Sequence, residues 1–157
     1  MSEIRDFLNL HLQSIFDSDL TTYHATTVPE LTIYEWHVTP HRIEGMPFHD
    51  FMLGESGRDD TAAIALDPSP SEGAPQGKGR VRFDLANYLE QVYEDTAICS
   101  YTMLISRGSD RGVQVTAYNE SRVLVRMGSS WKVVHVHKSP AWQAPLNPPH
   151  LATVHSN

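Results

Sequence analysis

Arg122 stands in the middle of an apolar, strand-like run from Val113 to Arg126, and Lys138 closes the next such run, Trp131 to Lys138. Side chains alternate across a strand, so Glu120, Arg122 and Leu124 share one face. In the following run Val134, Val136 and Lys138 share a face, and His135 and His137 share the other. With the valines turned to the interior, Lys138 points inward beside Arg122. Two cations beside a partly apolar pocket are the chemistry that holds a small organic anion such as a carboxylate. The same arginine could instead pair with Glu120 or another acid and serve only to fix the sheet, and the residues leave both readings open.

The remaining chemistry-bearing residues are less specific. His135 and His137 project together, as metal ligands on a strand would. No third ligand accompanies them, and His24, His37, His41 and His49 lack ligand spacing. No metal is therefore expected, and the pair reads as part of a packed outer face, such as a subunit contact. General acid–base work needs a titratable group desolvated in a pocket. His49, Glu120, Asp84 and Tyr101 are suitable types, but none has a diagnostic spacing, so no catalytic residue is assigned. Ser139 lacks the strand–turn–helix context of a nucleophile elbow. Gly77-Lys78-Gly79 is not followed by a convincing helix and does not read as a phosphate cradle. No cofactor is expected, and Trp36, Trp131 and Trp142 read as core or interface anchors.

Composition narrows the function classes further. The chain has 157 residues, enough for one domain with a proper core, and a net charge of −7. An acidic surface without a basic stripe disfavours phosphate backbones and anionic lipids, so neither nucleic acid nor membrane is an expected partner. Cys99 is the lone cysteine and reads as a buried structural thiol. The amino terminus lacks an apolar signal core, and no stretch approaches the roughly 20 apolar residues of a membrane span. A cytoplasmic location is the expectation.

The elements that must position these residues follow from periodicity. Ile4, Phe7, Leu8, Leu12, Ile15 and Phe16 form a helical stripe over residues 3 to 19, with Ser2 as its cap. A short helical turn follows through Thr22 to Ala25, ended by Pro29, and Leu31 to Trp36 reads as a strand. Pro40 to Gly45 is a loop, and Met46 to Leu53 a short helix with Pro47 in its first turn. Residues 54 to 80 read as a loop interrupted by Ala62 to Leu66. Four strands follow, Phe83 to Tyr93, Thr96 to Arg107, Val113 to Arg126 and Trp131 to Lys138, with short polar connections that favour an antiparallel meander. Residues 141–157 form an irregular, proline-rich tail. The expected fold class is α+β: one domain over residues 1–140, with a curved antiparallel sheet wrapped on the amino-terminal helix as a cone and a pocket between them.

Five segments resemble the association, or hub, domain of calcium/calmodulin-dependent protein kinase II, within the nuclear-transport-factor-2-like superfamily. They are Pro29-Glu30-Leu31-Thr32, Ile43 to Phe51 (IEGMPFHDF), Glu94-Asp95-Thr96-Ala97, Glu120-Ser121-Arg122-Val123 and Trp131 to Ser139 (WKVVHVHKS). Their order and spacing agree from about residue 3 to residue 140. The resemblance implies a conical, cystatin-like fold and a homo-oligomer, a dimer or a larger ring. It also implies a pocket for small carboxylates lined by arginines and a histidine, where Arg122 and His49 match. Lys138 replaces an arginine there, and Met103 replaces another. Tyr101 and Glu120 complete the candidate ligand site. No kinase segment is present, so the reading is a free-standing, non-catalytic, hub-like protein. The alternative is a lyase or isomerase of the same superfamily, either polyketide cyclase-like or metal-free carbonic anhydrase-like. His135-Val136-His137-Lys138-Ser139 matches three of five positions of the carbonic anhydrase motif.

Overall fold

The computed structural model describes residues 1–56, 81–110 and 112–141. Helix α1 spans Glu3–Phe16. The Ser2 hydroxyl accepts from the Arg5 backbone amide at 3.1 Å, satisfying one of the orphan donors of the first turn. Its apolar stripe is buried through Ile4, Leu8 and Leu12. Helix α2, Leu20–Thr26, is capped by Asp19, which accepts from the Thr22 amide. Strand β1 runs Thr27–Glu35, so Pro29 lies within a strand near the sheet's outer part rather than ending a helix, and Trp36 falls just past the strand.

The expected loop before the third helix contains a two-residue strand, β2, Ile43–Glu44. Helix α3, Met46–Ser56, starts with Pro47 in its first turn and extends three residues beyond Leu53. Ala62 to Leu66 and the proline-rich segment after Ala141 lie outside the described residues.

The four long strands are β3 Val81–Tyr93, β4 Thr96–Ser109, β5 Gly112–Met127 and β6 Ser130–Pro140. Together the strands form one unclosed sheet in the order β2-β1-β6-β5-β4-β3. The β3–β6 meander is antiparallel, whereas β1 pairs with β6 in parallel. That parallel pairing arises because α2 ends directly in β1 and delivers the chain to the free edge of β6.

Register shifts interrupt β1–β6, β3–β4 and β5–β6. Such bulges bend a strand and raise its twist, which curves the sheet. Asn87, with φ of 52°, sits in the β3 shift. The β6 shift corrects one expectation. It separates Val133, which is fully buried, from Val136, so Val134 is not the inward-facing partner of Val136 and Lys138. Alternation resumes after the bulge, and Val136 and Lys138 both face inward as expected.

Candidate functional site

The inner sheet face changes character along its length. Cross-strand neighbours form rungs, because residues opposite each other on one face lie within side-chain reach. One rung is Ile33, Val136, Arg122 and Cys99. The next is Glu35, Lys138, Glu120 and Tyr101, all buried. Beyond it stand Tyr118 and Met103. A layer of ionisable groups, which Arg122 joins from the neighbouring rung, thus crosses an otherwise largely apolar face.

Arg122 is the largest of the fully buried side chains. Its Nε donates to Glu120 Oε2 at 3.0 Å and to the Tyr101 hydroxyl oxygen at 2.9 Å. A guanidinium has no acceptor, so the Tyr101 proton goes to Glu120 Oε2, at 2.6 Å. Arg122 Nη1 donates to His11 Nε2 at 2.8 Å. That bond fixes the His11 tautomer: Nε2 holds the lone pair, and Nδ1–H donates to Thr26 Oγ1 at 2.8 Å. The Thr26 hydroxyl passes its own proton to the Thr22 carbonyl at 2.8 Å. Every proton along the line from Arg122 to the backbone of α2 is therefore ordered.

The electrostatics agree with this order. Burial, then Arg122 and Lys138, holds the His11 pKa well below the usual imidazole range. Burial pushes the Tyr101 hydroxyl well above its usual range. Burial alone would weaken the Arg122 cation, but Glu120 and Tyr101 outweigh it and raise its pKa.

Lys138 Nζ donates to Glu35 and stands 4.0 Å from Glu120 Oε1. Burial pushes the Glu35 carboxyl up, but Lys138 outweighs it and the net shift is downward. His49 on α3 pairs through Nδ1 with the Tyr23 hydroxyl at 3.0 Å. Its Nε2 is buried without a hydrogen-bond partner among the described residues. Burial lowers its pKa to about 4, against the pull of Glu35. Tyr23 is stacked against both histidines, at 5.2 Å from His11 and 5.9 Å from His49.

The sequence-derived candidates Arg122, Lys138, His49, Tyr101 and Glu120 thus meet in one buried layer. The two cations are each paired with a carboxylate. Three members were not foreseen: His11, Glu35 and Tyr23. Glu35 had a signal in the alternation Leu31, Ile33, Glu35, and His11 in its place on the apolar stripe of α1. Of the acids considered, Glu120 faces inward, while Asp84 pairs with Arg82 on the exposed side. Met103 is buried opposite Tyr118 and brings no charge.

His135 accepts or donates at Thr32 Oγ1, and both His135 and His137 contact the Tyr34 ring on the outer face. Among the described residues no group of three His, Cys, Asp or Glu side chains could hold a metal ion. No helix among them is long and apolar enough to cross a membrane.

A curved, unclosed mixed sheet over an amino-terminal helix is the fold of nuclear-transport-factor-2-like proteins of known structure. The model of the calcium/calmodulin dependent protein kinase II association domain matches residues 1–67 and 75–142, and the chain belongs to that family. Among solved structures, the CaMKII hub of S. rosetta is 23% identical with a TM-score of 0.65, over 88% of this chain and 94% of that one. The CamKII hub homology domain of Chlamydamonas reinhardtii is 21% identical with a TM-score of 0.70, over 89% and 97%. A putative ketosteroid isomerase from Shewanella frigidimarina is 15% identical with a TM-score of 0.56, over 85% and 92%. These likenesses establish the fold. No curated protein matches the chain.

Proposed function

We propose that this chain is a self-associating, non-catalytic, cytoplasmic domain that holds a small organic anion beside Arg122, Lys138 and His49, with Tyr101 and Glu120 fixing the arginine. The observation that carries the reading is the buried ionisable layer on the inner face, with one ring nitrogen of His49 left without a partner. A core that needed only stability would fill this layer with apolar side chains, since buried ion pairs rarely outperform them. Membership of an association-domain family supports self-association. Exposed Leu89, Val92 and Tyr93 on the edge strand β3 supply apolar surface for it. A two-fold dimer is the minimal assembly.

Light scattering at micromolar concentration should give at least a dimer mass, and a monomer would overturn the assembly half. Calorimetric titration with propionate should show one site per chain, weakened in Lys138→Met/Glu35→Gln, which removes the cation without stranding its carboxylate. Absence of binding would overturn the anion half. Arg122→Ala is the less informative variant, because it leaves Glu120 buried without its partner.

A second reading, a lyase or isomerase of polyketide cyclase-like or metal-free carbonic anhydrase-like type, is favoured by the same His49. When Nδ1–H donates to the Tyr23 hydroxyl, the neutral ring keeps its lone pair on the open Nε2, which is the form a general base takes. Carbon dioxide hydration at the background rate in stopped flow would exclude the carbonic anhydrase version.

A further inference from the structure

The buried layer is already charge-balanced. Glu35 and Glu120 bring two negative charges, and Lys138 and Arg122 bring two positive ones, each acid beside a cation. His11 adds none, since its Nε2 lone pair is held by Arg122 and its Nδ1 proton by Thr26. The next rung, Tyr118 and Met103, carries no formal charge. A carboxylate entering this layer would leave it one charge negative, and an uncompensated buried charge is strongly unfavourable. A compensating cation has to appear with it.

Within the layer, one imidazole keeps a buried ring nitrogen without a partner: His49 Nε2. The groups that act on His49 come from every surrounding element. They are His11 on α1, Tyr23 on α2, Glu35 on β1, Arg122 on β5, Lys138 on β6 and its own neighbour Asp50, which is bonded to His24 of α2. The two cations are already neutralised by their carboxylates, so the balance around an unliganded His49 gives it no reason to charge. A bound anion changes that balance.

We infer that this site takes up a carboxylate together with one proton, which His49 carries. The inference rests on the anion-binding reading above and adds its regulation: the ligand is a weak acid in net effect, favoured by acidification. In the unliganded protein His49 titrates at about 4 and is neutral near pH 7. A neighbouring carboxylate raises that value, so binding draws a proton from solvent. By linkage, the association constant falls about tenfold for each pH unit between the free and the bound pKa.

The test is calorimetric titration of the intact protein with propionate at pH 7, in two buffers of different ionisation enthalpy. The expected result is net proton uptake on binding, up to one per propionate, with affinity higher at pH 6 than at pH 7 by up to about tenfold. Ethanesulfonate, which stays ionised, should show the same uptake, because the proton is on the protein. His49→Gln should bind propionate weakly and without uptake. If that variant does not fold, ¹⁵N spectra of wild-type histidine rings serve instead, and His49 should become an imidazolium on saturation. Binding without proton uptake overturns this inference and leaves the anion reading standing. Uptake that persists in His49→Gln, or a neutral His49 ring in the complex, also overturns it. Failure of both propionate and ethanesulfonate to bind overturns both.

Discussion

Tyr23 is stacked between two buried histidines, and the two are used to very different extents. On the α1 side, His11 has both ring nitrogens engaged, and it locks an arginine that is itself bonded to Glu120 and Tyr101. On the α3 side, His49 has one nitrogen engaged and one open, and the cation near it, Lys138, is a flexible amine held between two acids. The closed side has a fixed proton order and behaves as scaffold. The open side has spare hydrogen-bonding capacity and is where a ligand or a proton can change something. The same buried setting thus gives one rigid and one responsive half.

The largest expected effect breaks the closed side. Arg122→Met removes the close partner of Glu120, leaving a buried carboxylate with the Tyr101 hydroxyl and Lys138, which stands 4.0 Å away and is already paired with Glu35. The expected loss is about 3–5 kcal/mol in urea denaturation, typical of a buried pair broken from one end. The double variant Arg122→Met/Glu120→Gln should recover much of it, since the uncompensated charge is then gone. A double variant no more stable than the single one would show that packing, not charge, dominates at this site.

Next in size is His11→Ala. It opens a cavity under α1 and strands Arg122 Nη1, while Thr26 Oγ1 keeps its bond to the Thr22 carbonyl, so about 2–4 kcal/mol should be lost. His49→Ala removes a single hydrogen bond, to Tyr23, and should be milder. Equal losses at the two positions, measured by the same denaturation, would erase the distinction between the two halves.

How far this layer could be read from sequence depended on whether alternation was unbroken. Glu120 and Arg122 lie on a stretch of β5 that keeps strict period two, and their inward direction was legible. Val134 was misplaced because the β6 bulge shifts the phase by one residue, and nothing in Val133-Val134-His135 announces a bulge. Lys138 was placed correctly because the phase from Val136 onward is intact. His11 was hidden by its helix: a polar residue on an apolar stripe earns attention only if its partner is known, and that partner lies 111 residues away. The parallel β1–β6 pairing was hidden for a related reason, since long-range strand order has no local signature, whereas the meander's short turns do.

The pH dependence should follow from both histidines. Their folded-state pKa values lie below the unfolded value near 6.5, so the unfolded chain binds more protons as pH falls. Stability from this source is complete above about pH 6.5 and declines below it, for His49 down to about pH 4. The Glu35 carboxyl, held below its ordinary 4.5, adds a loss only at lower pH. Denaturation midpoints that stayed flat from pH 7 to pH 5 would contradict neutral, buried histidines.

The smallest expected change in stability comes from His49→Gln at pH 7, and it sharpens the comparison most. Glutamine can keep one hydrogen bond to the Tyr23 hydroxyl, has similar reach and leaves no charge unpaired. The loss should be about 1 kcal/mol or less, the scale of a single neutral hydrogen bond. The same substitution should remove the His49 share of the acid sensitivity, so the variant loses less stability than the parent between pH 6.5 and pH 5. His11→Gln should not behave this way. Its amide would have to accept from Arg122 and donate to Thr26 across a span set by an imidazole, so a stability loss at pH 7 should accompany any change in the pH profile. A small loss with a flattened profile at position 49, beside a larger loss at position 11, is the outcome that separates a responsive histidine from a structural one.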